Sequence, residues 1–152
     1  MESPRVKLPS FLHGGHDVVL DTMIFIYLFE DNQKYGHSCE WLLQQAAEGV
    51  FTGVITPVTA AELLVKPLQS NRTALADHYR DALRSLPNIR LVDISSETGF
   101  MAGALKAKYN LPLPDMIQAA TALEINSTAL ISNDKVFQRV NEVNVILLDS
   151  LI

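Results

Sequence analysis

The feature that most constrains this chain is a repeated alternation: short runs with apolar residues for both faces, separated by longer segments with helical periodicity. The runs are Val18–Leu20, Phe51–Thr56, Ile89–Ile94, Thr128–Ile131 and Val145–Leu148. A strand with one solvated face alternates apolar and polar residues; these runs do not, so both of their faces are covered. Strands of that kind separated by helices predict an α/β fold, a central parallel five-stranded sheet with helices on both faces.

The segments between them read as helices. Thr22–Phe29 follows the first strand, and Tyr35 to about Glu48 carries Trp41, Leu42 and Gln45 on one face before Gly49 closes it. Pro57 opens a helix over Val58 to about Val65, which Pro67 ends. Residues 71–86 place Leu75, Tyr79, Leu83 and Leu86 on one face. Ser95 or Ser96 caps a helix to about Tyr109, and Pro112 and Pro114 introduce another over Asp115 to about Ile125. Residues 1–15, with Pro4, Pro9, Gly14 and Gly15 and no periodicity, read as a loose N-terminal arm; residues 16–152 form one domain. Trp41 and Tyr79, on apolar helical faces, read as core and not as base-stacking platforms.

Four acids stand alone in apolar surroundings. Asp21 is the only charged residue between Val18 and Phe29, Glu62 between Val50 and Val65, and Asp115 between Tyr109 and Leu123; Asp134 follows the fourth strand. Each lies at the end of a predicted strand or early in the helix after a strand or proline turn. In an open α/β sheet the ligand crevice lies outside the carboxyl ends of the strands, so the four belong to one rim. Taken singly, each has a plainer reading. Asp21 and Asp134 could cap or turn the chain, Asp115 could answer a helix dipole, and Glu62 could lie on a surface. Taken together, grouped carboxylates raise one another's pKa and need a cation. The hard ions Mg²⁺ or Mn²⁺ suit oxygen ligands, activate water and stabilise charge on phosphoryl oxygens.

Charge and composition narrow the classes further. With 12 basic and 17 acidic residues the net charge is −5, which disfavours non-specific nucleic-acid binding through a basic patch unless a cation bridges the acidic site to phosphate. The single cysteine, Cys39, forms no disulfide framework, and the four histidines share no metal-ligand spacing. No apolar run is long enough to span a bilayer and no secretory leader is evident, so a cytoplasmic protein is expected.

These residues resemble the PIN domain family and, within it, the VapC-type ribonuclease toxins of bacteria. The resemblance covers about Val18 to Leu148 and lies in four ordered motifs: Val18-Val19-Leu20-Asp21-Thr22, Ile55-Thr56-Pro57-Val58-Thr59-Ala60-Ala61-Glu62-Leu63, Leu113-Pro114-Asp115-Met116-Ile117-Gln118-Ala119-Ala120-Thr121, and Leu130-Ile131-Ser132-Asn133-Asp134 followed by Phe137. Met23 stands where the family often has Asn, and the arm is longer than the resemblance leads one to expect. The resemblance implies a three-layer PIN-like domain and a Mg²⁺- or Mn²⁺-dependent endoribonuclease, with Asp21, Glu62, Asp115 and Asp134 as catalytic metal ligands. Thr22, Ser132 and Asn133 would support ligands or a water, and Lys66 and Lys135 would meet the RNA backbone. The implied partners are RNA, an antitoxin protein and a second copy of the chain, with an interface drawn from residues 35–48 or 71–86. The rival is a PIN-like nucleic-acid or protein binding module without catalysis; retention of all four acids favours the enzyme. A phospho-accepting receiver domain would want adjacent acids after the first strand and a lysine after the last, and Leu148 is followed by Asp149.

Overall fold

The computed structural model describes residues 7–152. Its five strands, β1 (Asp17–Leu20), β2 (Thr52–Ile55), β3 (Ile89–Leu91), β4 (Ala129–Ser132) and β5 (Val145–Leu147), pair in parallel in the order β3-β2-β1-β4-β5. The fold class expected from the sequence is the one observed. The period-two alternation of β1 divides the core: Val18 and Leu20 face one layer, with Phe25, Leu42, Phe51 and Tyr79, and Val19 faces the other, with Leu105, Met116 and Phe137. Both faces of the central strands β1, β2 and β4 are therefore covered, whereas the edge strand β3 leaves Arg90 and Leu91 exposed.

Six helices cover the sheet: α1 (Thr22–Phe29), α2 (Gly36–Ala47), α3 (Pro57–Gln69), α4 (Thr73–Ser85), α5 (Ser96–Tyr109) and α6 (Leu113–Glu124). Residues of α1, α2, α3 and α4 supply the first layer and those of α5 and α6 the second. Gly49 ends α2 at φ +83, a left-handed conformation that costs glycine little, and its N–H reaches the Ala46 carbonyl at 2.9 Å. Tyr79 is buried and stacks on Phe29 with ring centroids 5.0 Å apart, and Trp41 packs against the same core.

Three boundaries differ from the sequence expectation. Pro67 does not end its helix, because α3 continues to Gln69. A proline removes one donor, but its φ is helical, and only two residues follow before Ser70 leaves the helix. The helix holding Asp115 begins at Leu113, since Pro114 in the first turn gives up an N–H that has no helical acceptor anyway. The edge strand β3 stops at Leu91, although the Val92 N–H still reaches the Ile55 carbonyl at 3.0 Å.

Residues 1–6 of the expected arm lie outside the described residues. From Lys7 onward the chain packs: the Lys7 N–H reaches the Leu151 carbonyl at 2.9 Å, Ser10–Leu12 form a 3-10 turn, and Leu12 is fully buried in the core. Among the described residues no helix is long and apolar enough to cross a membrane.

Candidate active site

The strand order reverses at β1. Its neighbour on one side, β2, follows it in sequence, whereas β4 on the other arrives after the chain has crossed back. A crevice forms at such a switch point, and both flanking strands end in it with the predicted residues. Asp21 follows β1, and Ser132 and Asp134 close β4. Thr22 opens α1, Glu62 lies in the middle of α3, and Asp115 lies in the first turn of α6.

The charges of the other three acids reach Asp115. Asp115 is pushed up to about 6, first by burial and then by the charges of Asp21, Asp134 and Glu62. Burial also raises Asp21, with Glu62 adding to the effect, against hydrogen bonds from Ser132, the Thr22 N–H and Gln118 that pull it down. Asp21 is 5% exposed and makes no helix-capping hydrogen bond, so capping does not explain it. Asp134 does cap: its Oδ1 accepts the Val136 N–H at 3.0 Å and starts a 3-10 turn over Lys135–Arg139. That leaves its other oxygen without a capping role.

Hydrogen bonds fix the supporting residues. The Ser132 hydroxyl donates to Asp21 Oδ2 at 2.7 Å and accepts the Asp134 N–H at 3.0 Å, linking two acids through one side chain. Thr22 donates to Glu62 Oε1 at 2.9 Å. Asn133 points elsewhere: its Oδ1 accepts the Asp149 N–H at 3.2 Å. Lys66 pairs with Glu30 at 3.1 Å, and Lys135 is exposed beside Asp134. A cleft of ≈ 570 Å³ opens next to Glu62, lined also by Phe29, Lys66, Arg72 and Tyr79.

The sequence reading missed a buried polar group behind the acids. Thr56, Thr59 and Gln118 are fully buried and hydrogen-bonded to one another. The signal was present in the spacing: Thr59 precedes Glu62 by three residues, and Gln118 follows Asp115 by three, each pair on one helical face.

The donor chemistry suits a hard divalent cation. Every predicted ligand is a carboxylate, and no cationic group acts on Asp115. Among the described residues no three Asp, Glu, His or Cys side chains are grouped closely enough to hold a metal ion as they stand. One oxygen of Glu62 is held by Thr22 and one of Asp134 by a backbone N–H. A thiolate nucleophile is excluded, since burial pushes the Cys39 thiol up to about 12.

A five-stranded parallel sheet whose order reverses at β1, covered by helices on both sides, defines a three-layer α/β domain. The chain belongs to the PIN domain family, whose model matches residues 18–143. Among curated protein sequences none matches it. Its fold is similar to that of a solved VapBC2 assembly from Rickettsia felis bound to a promoter DNA fragment, at 21% identity and a TM-score of 0.71, covering 86% of this chain and 98% of that one. A toxin–antitoxin complex from Klebsiella pneumoniae gives 23% identity and a TM-score of 0.66 over 86% and 97% of the two chains. VapC20 of Mycobacterium tuberculosis, described as a sarcin-ricin loop cleaving toxin, gives 12% and 0.66 over 84% and 98%.

Proposed function

We propose that this protein is a Mg²⁺- or Mn²⁺-dependent endoribonuclease, the toxin of a toxin–antitoxin pair, working in the cytoplasm as a homodimer and restrained by a protein antitoxin. The observation that carries the reading is that the charges of Asp21, Asp134 and Glu62, from three other segments, add to burial in pushing Asp115 up to about 6. The likeness to proteins named as VapBC assemblies and to a toxin described as cleaving the sarcin-ricin loop supports it.

Asp21, Glu62, Asp115 and Asp134 would hold the cation. When bound, a divalent ion supplies activation of water and neutralisation of charge on the scissile phosphate. The chain's own residues do the rest. Ser132 fixes Asp21 and the backbone at Asp134 in one relation, so the rim of β1 and the rim of β4 move together. Thr22 orients Glu62. Asn133, tied to Asp149, steadies the loop that carries Asp134. Lys135, exposed beside Asp134, is placed to meet a backbone phosphate; Lys66 would first have to leave Glu30.

The test is cleavage of varied RNAs by purified protein, with Mg²⁺ or Mn²⁺ and with chelator, alongside Asp21→Asn. Wild type is expected to cut only with metal. Asp21→Asn is expected to be inactive and folded, with an unchanged or higher melting temperature in chelator, because the substitution relieves repulsion among like charges. Wild-type cleavage by Asp21→Asn would make this aspartate structural. Metal or RNA binding by wild type with no cleavage would favour the binding module.

A further inference from the structure

Behind Glu62 lies a polar core that no charge requires. Thr56, Thr59 and Gln118 are fully buried and Thr22 is 4% exposed, in a shell otherwise built from Leu, Ile, Met and Ala. Burying hydroxyls and an amide is costly unless each finds partners. Here they all do, and the count of protons fixes the direction of the bonds.

Thr56 Oγ1 accepts the Val58 N–H at 3.2 Å as the cap of α3, and donates its own proton to Gln118 Oε1 at 2.6 Å. That sets the amide the right way round, with Nε2 donating to Thr59 Oγ1 at 3.0 Å. At the other end Thr22 donates to Glu62 Oε1 at 2.9 Å. A hydroxyl has one proton, so across the 3.0 Å contact between the two threonines Thr59 must be the donor and Thr22 the acceptor. The donors therefore run one way, from the helix cap through Gln118, Thr59 and Thr22 to the carboxylate.

We propose that Gln118 and Thr59 are positioning residues that aim the Glu62 carboxylate for metal binding, through a one-way hydrogen-bond chain anchored on the N-cap of α3. This rests on the reading of the four acids as metal ligands. Because α3 and α6 each carry an acid, the chain also fixes the relation between the helices that bear Glu62 and Asp115. A fixed rotamer matters because a carboxylate that must be ordered on binding gives up affinity.

The experiment is calorimetric titration of Mn²⁺ into the RNA-free protein. The variants are Thr59→Val, Gln118→Met, Gln118→Asn and Thr59→Ser, with Thr98→Val as a control. Thr98 is a buried threonine bonded to Ser95 and Glu124, at the end of α6 away from Asp115. Circular dichroism in chelator establishes which variants fold. Thr59→Val, Gln118→Met and Gln118→Asn are expected to weaken Mn²⁺ binding about 10–100-fold, the usual effect of losing a group that orients a ligand. Thr59→Ser keeps the hydroxyl and is expected to bind like wild type, as is Thr98→Val. Gln118→Asn retains polarity and offers a folded probe if an apolar variant fails to fold. Wild-type affinity in any folded Thr59→Val, Gln118→Met or Gln118→Asn protein overturns the proposal and leaves the metal reading intact. Wild-type protein that binds no Mn²⁺ overturns both.

Discussion

Asp115 reports the electrical state of the site. Its carboxyl is raised to about 6 by burial first and by Asp21, Asp134 and Glu62 next, so the native chain holds this proton more tightly than the unfolded chain does. The stability that follows is fully present below the ordinary aspartate value and is lost as pH rises through about 6. Burial raises Asp21 as well, in the same sense. Glu142 works the opposite way on acidification, held low by Tyr109 and Lys108. The clean observable is therefore a difference. Asp115→Asn is expected to melt higher than wild type at pH 7 in metal-free buffer, and the gap is expected to close towards pH 4; thermal melts across that range measure it. A gap that ignores pH would show that the charge of Asp115 is not what the site opposes. At this scale the sequence was readable where charge stood out against apolar neighbours, which is why Asp21, Glu62, Asp115 and Asp134 could be picked out. Thr56, Thr59 and Gln118 were not, because a polar residue on a helix reads as surface until its neighbours are known. Asn133 was judged by adjacency to Asp134, whereas the turn after β4 directs it towards Asp149.

Elements were legible to the extent that burial leaves a pattern in the chain. The strands flanking β1 are dry on both faces, and their apolar runs marked them clearly. Ends were harder, because a helix stops where local bonding runs out. Pro67 looked like a stop but occupies the last turn of α3, where the missing donor costs little. The least legible element was the arm. Its composition suggested looseness, yet Leu12 anchors the 3-10 turn at Ser10–Leu12 in the core with no exposed surface, and Leu8 packs against the same core. Two apolar side chains in so short a segment leave no periodicity to detect. Leu12→Ala is accordingly expected to destabilise the protein by about 2–5 kcal/mol, the range for emptying a buried leucine site. Urea unfolding would measure it, and a loss within ~0.5 kcal/mol of zero, as for a surface position, would mean that the turn contributes no packing.

The whole molecule combines an acidic surface with an acidic site, and two consequences follow. The first concerns assembly. The apolar faces expected to form a dimer interface are committed to the core, through Cys39, Leu42 and Ala46 on α2 and Ala76, Tyr79 and Leu83 on α4. Phe100 on α5, 74% exposed, is the large apolar side chain left most open among the described residues. Sedimentation at micromolar concentration is expected to give a dimer for wild type and a monomer for Phe100→Asp with no loss of melting temperature; a Phe100→Asp dimer would move the interface elsewhere. The second concerns the cation. A metal that binds only the folded chain stabilises it by mass action, about 2.7 kcal/mol at a hundredfold excess over its dissociation constant. For a domain of this size each kcal/mol raises the melting temperature by about 2–4 °C, so saturating Mn²⁺ is expected to raise it by roughly 5–10 °C. The gain should be larger than salt screening alone provides, and calcium chloride or magnesium chloride matched for ionic strength against sodium chloride separates the two. Asp21→Asn, with one charged oxygen ligand fewer, is expected to lose most of the shift. Protons compete for the same carboxylates, so the shift should also shrink below pH 6, where Asp115 takes up its proton. An equal shift in wild type and Asp21→Asn at every pH would place the cation somewhere other than among these four acids.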